Sequence, residues 1–230
     1  MDEKLAIVMP VYNEEECVGQ VFEEWLPVLD SLNINYCFYA YDDGSKDKTL
    51  EILKLYESQN SGKVKAISHA NKGHGQTCVE GYKLALKEGC HYVLQIDSDG
   101  QCDASFFESF WKERLNAPVF GFRATREDGN TRWWISRIVS LVGLLGTGTW
   151  VKDANVPYRL IRSKQLISII DQIPPDFHLA NILISLKLRQ KYQIQWININ
   201  FRDRFGGSPS VKTFNFAEQG LKLLKQLWLS

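Results

Sequence analysis

The chain is 230 residues long, with 44% hydrophobic and 12% aromatic residues, a composition that excludes a disordered protein and suffices for a sizeable core. Lys plus Arg and Asp plus Glu both number 27, so the chain lacks the general basic surplus of nucleic-acid binders. Five cysteines (Cys17, Cys37, Cys78, Cys90 and Cys102) are scattered without a C-x-x-C spacing, which argues against a disulfide framework or zinc site and for a reducing cytosol.

The opening "MDEKLAIVMP" is acidic, and its apolar run is too short for a signal peptide. Leu5 to Val11 reads as a buried strand. A helix from Glu15 to Leu32 follows, with Pro27 expected to kink or end it. Tyr36 to Tyr41 is a second strand, and Asp47 starts a second helix. "KVKAISH" is a third strand, His74 to Glu88 a third helix, "HYVLQI" a fourth strand and Ala104 to Leu115 the helix after it. Strands and helices alternating through short connections predict an α/β fold, a mainly parallel central sheet with helices on both faces.

Beyond "APVFGF" the pattern changes. Residues 128–151 are rich in Arg, Trp and Gly, without a clean strand-helix repeat. Two short helices are expected within Ser163 to Ile173 and Phe177 to Lys191. "YQIQWININF" alternates as a strand should, and a terminal helix is expected from Phe214 to Trp228.

In open α/β sheets ligands sit beyond the C-terminal ends of the strands, and here those ends collect the polar residues. Strand one ends in Pro10, Tyr12, Asn13, Glu14 and Glu15, strand two in "DDGSKDKT", strand three leads to "NKGHG", and strand four ends in "DSDGQ". Each has a purely structural reading. The acidic run suits a first helical turn, Asp47 an N-cap and Gly44 a turn. "NKGHG" lacks the P-loop pattern, and Asp97 and Asp99 are residue types that form turns anyway. Adjacent Asp42 and Asp43 have no such need for both. The functional reading of Asp97-x-Asp99 is that two carboxylates in one turn approach a hard cation, with Gln101 adding an amide oxygen. Mg2+ or Mn2+ held this way keeps positions open for phosphate oxygens and neutralises a departing diphosphate.

"VMPVYNEEECV", "YAYDDGSKDKT", "HANKGHGQTCVEGYKLALKEG" and "YVLQIDSDGQ" stand in the order and spacing of family 2 glycosyltransferases. The chain resembles in particular the dolichol-phosphate mannosyltransferase and bacterial polyprenyl-phosphate glycosyltransferase branch, over nearly its whole length. The resemblance implies a GT-A fold in a single domain, 1–230, with 1–116 as the nucleotide-sugar-binding half. Residues 117–230 would be the acceptor-side half, ending in an amphipathic helix. It implies that Pro10, Tyr12, Asn13, Glu14, Asp42 and Asp43 frame the base and ribose, that the Gly73 loop passes close to the nucleotide, and that Asp97, Asp99 and Gln101 hold the metal. "GFRATREDGNTRWWIS" is similar to the branch's glycine and arginine followed by R-x-x-x-S, at Gly121, Arg123, Arg132 and Ser136. "DANVPYR" is similar to its aspartate-led segment, at Asp153, and "RDRFGGSPS" to its late motif, at Arg204, Gly206 and Ser208.

The activity so implied is inverting transfer of a sugar from a GDP- or UDP-sugar to a polyprenyl or dolichyl phosphate. A phosphate acceptor is already anionic and needs positive charge rather than a base, a task that suits Arg123, Arg132 and Arg204. A sugar hydroxyl would need a base, for which Asp153, Asp176 and His178 stand as candidates. The Q-x-x-R-W signature of processive synthases is absent, since "NTRWW" lacks the glutamine. A lipid acceptor implies a cytoplasmic enzyme, peripheral at the cytoplasmic face of a membrane, alone or with a membrane partner subunit. "WWISRIVSLVGLLGTGTWV" and "FNFAEQGLKLLKQLWL" suit an interface or the core, and no window reaches the ~20 uncharged apolar residues of a span. Two rivals remain. A nucleotidyltransferase would need a glycine-rich, lysine-bearing first loop, which is missing. A non-catalytic nucleotide-sugar-binding module is opposed by the intact Asp97, Asp99 and Gln101.

Overall fold

The computed structural model describes residues 3–126, 144, 148–175, 177 and 179–206. Among them, seven strands form one sheet: β1 (Lys4–Val11), β2 (Asn35–Asp42), β3 (Val64–Ser68), β4 (Tyr92–Gln95), β5 (Val119–Arg126), β6 (Arg159–Arg162) and β7 (Gln195–Phe201), in the spatial order β3-β2-β1-β4-β6-β5-β7. The helices are α1 (Val18–Ser31), α2 (Thr49–Gln59), α3 (His74–Lys87), α4 (Phe107–Glu113), α5 (Ser163–Ile170) and α6 (Ala180–Lys191).

The first four strands are parallel, and β1 is buried from Leu5 to Val11, as a strand covered on both faces must be. The chain runs outward from β1 to β2 and β3, then returns through α3 to β4 on the other side of β1. Strand order therefore reverses between β1 and β4, the switch point at which such sheets open a ligand crevice. β4 ends at Gln95, level with Val8, so the chain from Ile96 onward lies beside the last residues of β1. That early end also accommodates Pro10 in a central strand. The Val8 carbonyl accepts from Ile96 N at 3.2 Å, so Pro10, two residues on, faces the same way but past the end of β4. Its missing N–H therefore leaves no gap in the ladder.

Helix α1 buries Val18, Val21, Phe22, Trp25 and Leu29, the stripe of a helix packed by one face. Pro27 does not end it: the helix runs on to Ser31, within the span from Glu15 to Leu32 expected from sequence. A proline costs a helix interior ~3 kcal/mol. Here it sits on the exposed face between buried Trp25 and Leu29, whose burial is worth ~1.5–3 kcal/mol each. Packing wins. Helix α3 lies tight on the sheet because Gly81 faces Val8, where a Cβ would overlap the valine side chain.

The second half departs from the parallel pattern. β6 inserts antiparallel between β4 and β5, and β5 runs parallel to β7. β6 has no counterpart among the expected strands, because its fully buried first residue is Arg159. The guanidinium donates to Val156 O, to Asn181 O at 2.9 Å and to Ser185 Oγ at 3.2 Å, and lies 5.2 Å from the Phe120 ring centroid. Carbonyl acceptors and an aromatic face make this burial tolerable. Of the two helices expected in this half, the first ends at Ile170 and the second begins at Ala180. The helix expected from Phe214 to Trp228 lies outside the described residues.

Candidate active site

The loops after β1 and β2 are laced together. Asn13, with φ 52°, donates its N–H to Ser45 Oγ at 2.9 Å, and its Oδ1 accepts from Lys46 N at 2.8 Å. Glu14 N donates to Thr49 Oγ1 at 2.8 Å, while Lys48 N donates to Glu15 Oε2 at 2.9 Å. Asp47 Oδ1 accepts from Thr49 N, the first residue of α2, at 3.0 Å, so Asp47 lies just ahead of the helix, whose N-cap position is Lys48. Asp42 accepts from Ser45 N at 3.0 Å and Ser68 Oγ at 2.8 Å. Asp43 accepts from the backbone N–H groups of Lys72 at 2.7 Å and Gly73 at 3.0 Å. Gly44, at φ +73°, lets this loop approach the next one, since a Cβ there would lie 2.9 Å from Asn71 N. Asn13, Asp42, Asp43 and Gly73 are thus brought together as expected from sequence, with both aspartates spent on holding loops. Gly73 itself fronts open space, with nothing within 4 Å of where its Cβ would be.

A second group forms where the turn after β4 meets the segment after β7. Asp99 Oδ1 accepts from Gln101 N at 3.1 Å, and Asp99 Oδ2 from Arg204 Nη1 at 3.1 Å. Arg204 Nη2 lies 2.7 Å from both carboxylate oxygens of Glu14. Asp97 has looser company, with Gln95 Nε2 at 3.5 Å and His74 Nε2 at 3.7 Å, both measured to Oδ1. Gln101 Nε2 donates to Arg202 O at 2.9 Å and Phe205 N to Asp99 O at 3.0 Å. Three segments far apart in sequence therefore meet at the β1–β4 switch point.

The electrostatics set this group apart. Burial, and then the neighbouring Asp97 charge, push the Asp99 carboxyl up to about 6, against the pull of Gln101 N–H and Arg204. Burial likewise raises Glu14, against its bonds to Arg204. Three acids face one guanidinium, with the half-exposed His74 ring 3.7 Å from Asp97 as a second basic group, and a divalent cation would relieve the charge that they leave. Among the described residues no three His, Cys, Asp or Glu side chains converge as a cage. The protein offers Asp97, Asp99 and the amide oxygen of Gln101, whose nitrogen is already engaged. That donor set fits a hard cation whose remaining positions go to water or substrate phosphate.

On the other side, Arg123 and Asp153 form a bidentate pair, Nε to Oδ2 and Nη2 to Oδ1, both 2.7 Å, with side chains 10% and 2% exposed. A carboxylate with both oxygens on a guanidinium is a poor base, and the guanidinium fork is equally committed. Arg132, Ser136, Ser208, Asp176 and His178 lie outside the described residues. Reading the sequence missed His74, whose Nε2 lies 3.2 Å from Asn181 Nδ2 as well as near Asp97, and it missed the Arg202–Glu24 ion pair. "NKGHG" contains His74, but nothing in a linear reading joins it to Asn181, 107 residues on.

The seven-stranded, mostly parallel sheet with its β3-β2-β1-β4 core is a GT-A fold. The chain shares that fold with the glucosyl-3-phosphoglycerate synthase of Mycobacterium tuberculosis in complex with Mn2+, UDP-glucose and phosphoglyceric acid. The TM-score is 0.66 at 16% identity, over 98% of this chain and 80% of that one. It shares it also with S. aureus TarS 1–349 in complex with UDP-GlcNAc, with a TM-score of 0.59 at 19% identity, over 97% of this chain and 66% of the other. The family model for glycosyl transferase family 2 matches residues 6–183, and the chain belongs to that family; it is a glycosyltransferase. Its relatives include an uncharacterized glycosyltransferase of Synechocystis sp., 27% identical over 95% of this chain and 68% of that protein. Another is the undecaprenyl-phosphate 4-deoxy-4-formamido-L-arabinose transferase of Pseudomonas aeruginosa, 26% identical over 69% of this chain. The matched region spans about half of that relative, 47% of its length.

Proposed function

We propose that the chain transfers a sugar, with inversion, from a GDP- or UDP-sugar to a polyprenyl or dolichyl phosphate, with Mg2+ or Mn2+ held by Asp97, Asp99 and Gln101. The observation that carries the reading is the gathering of Glu14, Asp97 and Asp99 around one guanidinium, with His74 at its edge, at the switch point of the sheet. A divalent cation bound there neutralises charge on the departing diphosphate. Asp97 and Asp99 supply its carboxylate ligands, and the Gln101 backbone N–H orients Asp99. Tyr12, Asn13 and Glu14, with the loop that Asp43 ties to Gly73, form the cradle for the nucleoside, and buried Pro10 and Asp42 support it from beneath. The structural neighbour solved with Mn2+ and UDP-glucose supports the metal and donor class.

The relatives named as undecaprenyl-phosphate transferases support the acceptor. A phosphate monoester attacks without a general base, in keeping with the commitment of Asp153 to Arg123. In this reading Arg132, Ser136 and Ser208 meet the acceptor phosphate, and Arg123 holds Asp153. The reaction then runs at the cytoplasmic face of a membrane. Among the described residues no helix is long and apolar enough to cross one. Transfer to a sugar hydroxyl is the second reading. It is favoured by the pairing of Arg123 and Arg204, two of the three arginines expected on phosphate, with carboxylates.

A thermal-shift panel of GDP- and UDP-sugars with Mn2+ tests the donor. One nucleotide class should stabilise the protein, and Asp99→Ala should abolish the effect; no shift across the panel sinks the donor assignment. For the acceptor, Arg132→Ala should reduce transfer to polyprenyl phosphate more than it reduces metal-dependent donor hydrolysis. Equal losses would favour the hydroxyl reading.

A further inference from the structure

The segment after β7, residues 202–206, is strapped across the Asp-x-Asp turn. Besides the Gln101–Arg202 and Phe205–Asp99 bonds, Arg202 Nε donates to Gly100 O at 2.6 Å, and Cys17 Sγ to Gly206 O at 3.2 Å. The Phe205 ring packs where a Cβ on Gly100 would stand, and Gly100 sits at φ +82°. At the centre of the strap, Arg204 bridges Glu14 and Asp99.

The two oxygens of Asp99 are not equivalent. Oδ1 is held by the Gln101 N–H within the turn, and Oδ2 is held by Arg204 Nη1. If the turn keeps its internal bond, Oδ2 is the oxygen left to ligate a cation, and it is the one the arginine holds. A monovalent guanidinium about 3 Å from an oxygen that also ligates a dication is repelled by it, strongly so in a partly buried site. Nη2, by contrast, keeps both oxygens of Glu14. The guanidinium therefore has a pivot on one side and a contested contact on the other.

We propose that Arg204 is a positioning residue: it is the cation the fold itself supplies to Asp99 Oδ2, and a divalent metal displaces it, pivoting it on Glu14 and loosening the 202–206 strap. The inference rests on the metal reading above and adds a linkage to it. Metal affinity and closure of the strap oppose each other, so whatever favours one weakens the other by the same factor.

The test is Mn2+ binding without nucleotide, read by the electron paramagnetic resonance of free Mn2+, on the full chain and on Arg204→Gln, Arg204→Lys and Asp99→Asn. Arg204→Gln should bind Mn2+ about tenfold more tightly than the wild type, within the usual range of such couplings. Arg204→Lys, which keeps the charge but loses the fork, should fall between them, and Asp99→Asn should lose binding. In the wild type, amide hydrogen exchange at residues 202–206 should rise as Mn2+ saturates, a readout that needs no variant to fold. Unchanged or weaker Mn2+ binding in Arg204→Gln, with Asp99→Asn still defective, overturns the displacement and leaves the metal site standing. Exchange at 202–206 that slows with Mn2+ overturns it too. Absence of Mn2+ binding in every protein, with nucleotide present, overturns the metal reading and this inference together.

Discussion

The aspartates after β2 and those after β4 lie on the same rim of the same sheet, yet they are held in different ways. Asp43 takes two backbone N–H groups, and Asp42 takes one backbone N–H and one hydroxyl. Their charge is met by donors the fold fixes in place. Asp99 has one backbone N–H and one arginine, Asp97 only distant partners, and Glu14 shares that arginine. Charge met by fixed donors builds architecture. Charge met by a single guanidinium, shared between two acids, is in the proposed reading available to a ligand.

The largest effect should come from removing that available charge. In the proposed reading Asp99→Ala deletes a ligand to the cation that would neutralise the leaving diphosphate, a contribution worth several kcal/mol, so turnover should fall at least ~100-fold. Sugar release from the preferred nucleotide-sugar, followed with Mn2+, measures it. Near-normal turnover would erase the distinction between the two sets of aspartates.

Asp43→Asn should act on the fold instead. Asparagine keeps one acceptor oxygen and turns an NH2 toward the other backbone N–H, so that Lys72 N or Gly73 N loses its acceptor on the buried Asp43 side chain. The expected loss is ~1 kcal/mol of stability, read as a lower urea midpoint with an unchanged slope. Nucleotide binding should weaken as the Gly73 loop loosens. A fully stable variant that fails only in catalysis would place Asp43 with Asp99.

The contrast was only half legible in the sequence. Strands β1 to β4 announce themselves because buried parallel strands are near-continuous apolar runs, and the polar residues at their ends mark the rim. The Asp-x-Asp turn is local, so its two carboxylates and Gln101 could be read as a set. The donors that hold adjacent Asp42 and Asp43, on Ser68, Lys72 and Gly73, belong to the next strand and loop and lie outside a linear reading. Arg204 was legible as a charge but not as the partner of Glu14, 190 residues away. β6 was hidden because a buried arginine opens it.

The smallest expected effect is also the most specific to the β4 turn. Burial and the neighbouring Asp97 put the Asp99 carboxyl at about 6, above an ordinary turn aspartate. Below that pH the residue carries a proton and cannot ligate, so Mn2+ affinity should be level above about pH 7 and fall about tenfold per unit below about pH 6. The same shift has the opposite sign for folding. Between the ordinary aspartate value and about 6, the folded chain keeps a proton that the unfolded chain has lost. This group's contribution to stability is therefore fully present below that window and is lost as pH rises through it. Mn2+ titrations from about pH 5 to 8, beside urea midpoints for wild type and Asp99→Asn, separate the two signs. Metal affinity that held level down to about pH 4 would mean that Asp99 ionises like any turn aspartate, and that its burial beside Asp97 leaves no charge for a cation to relieve.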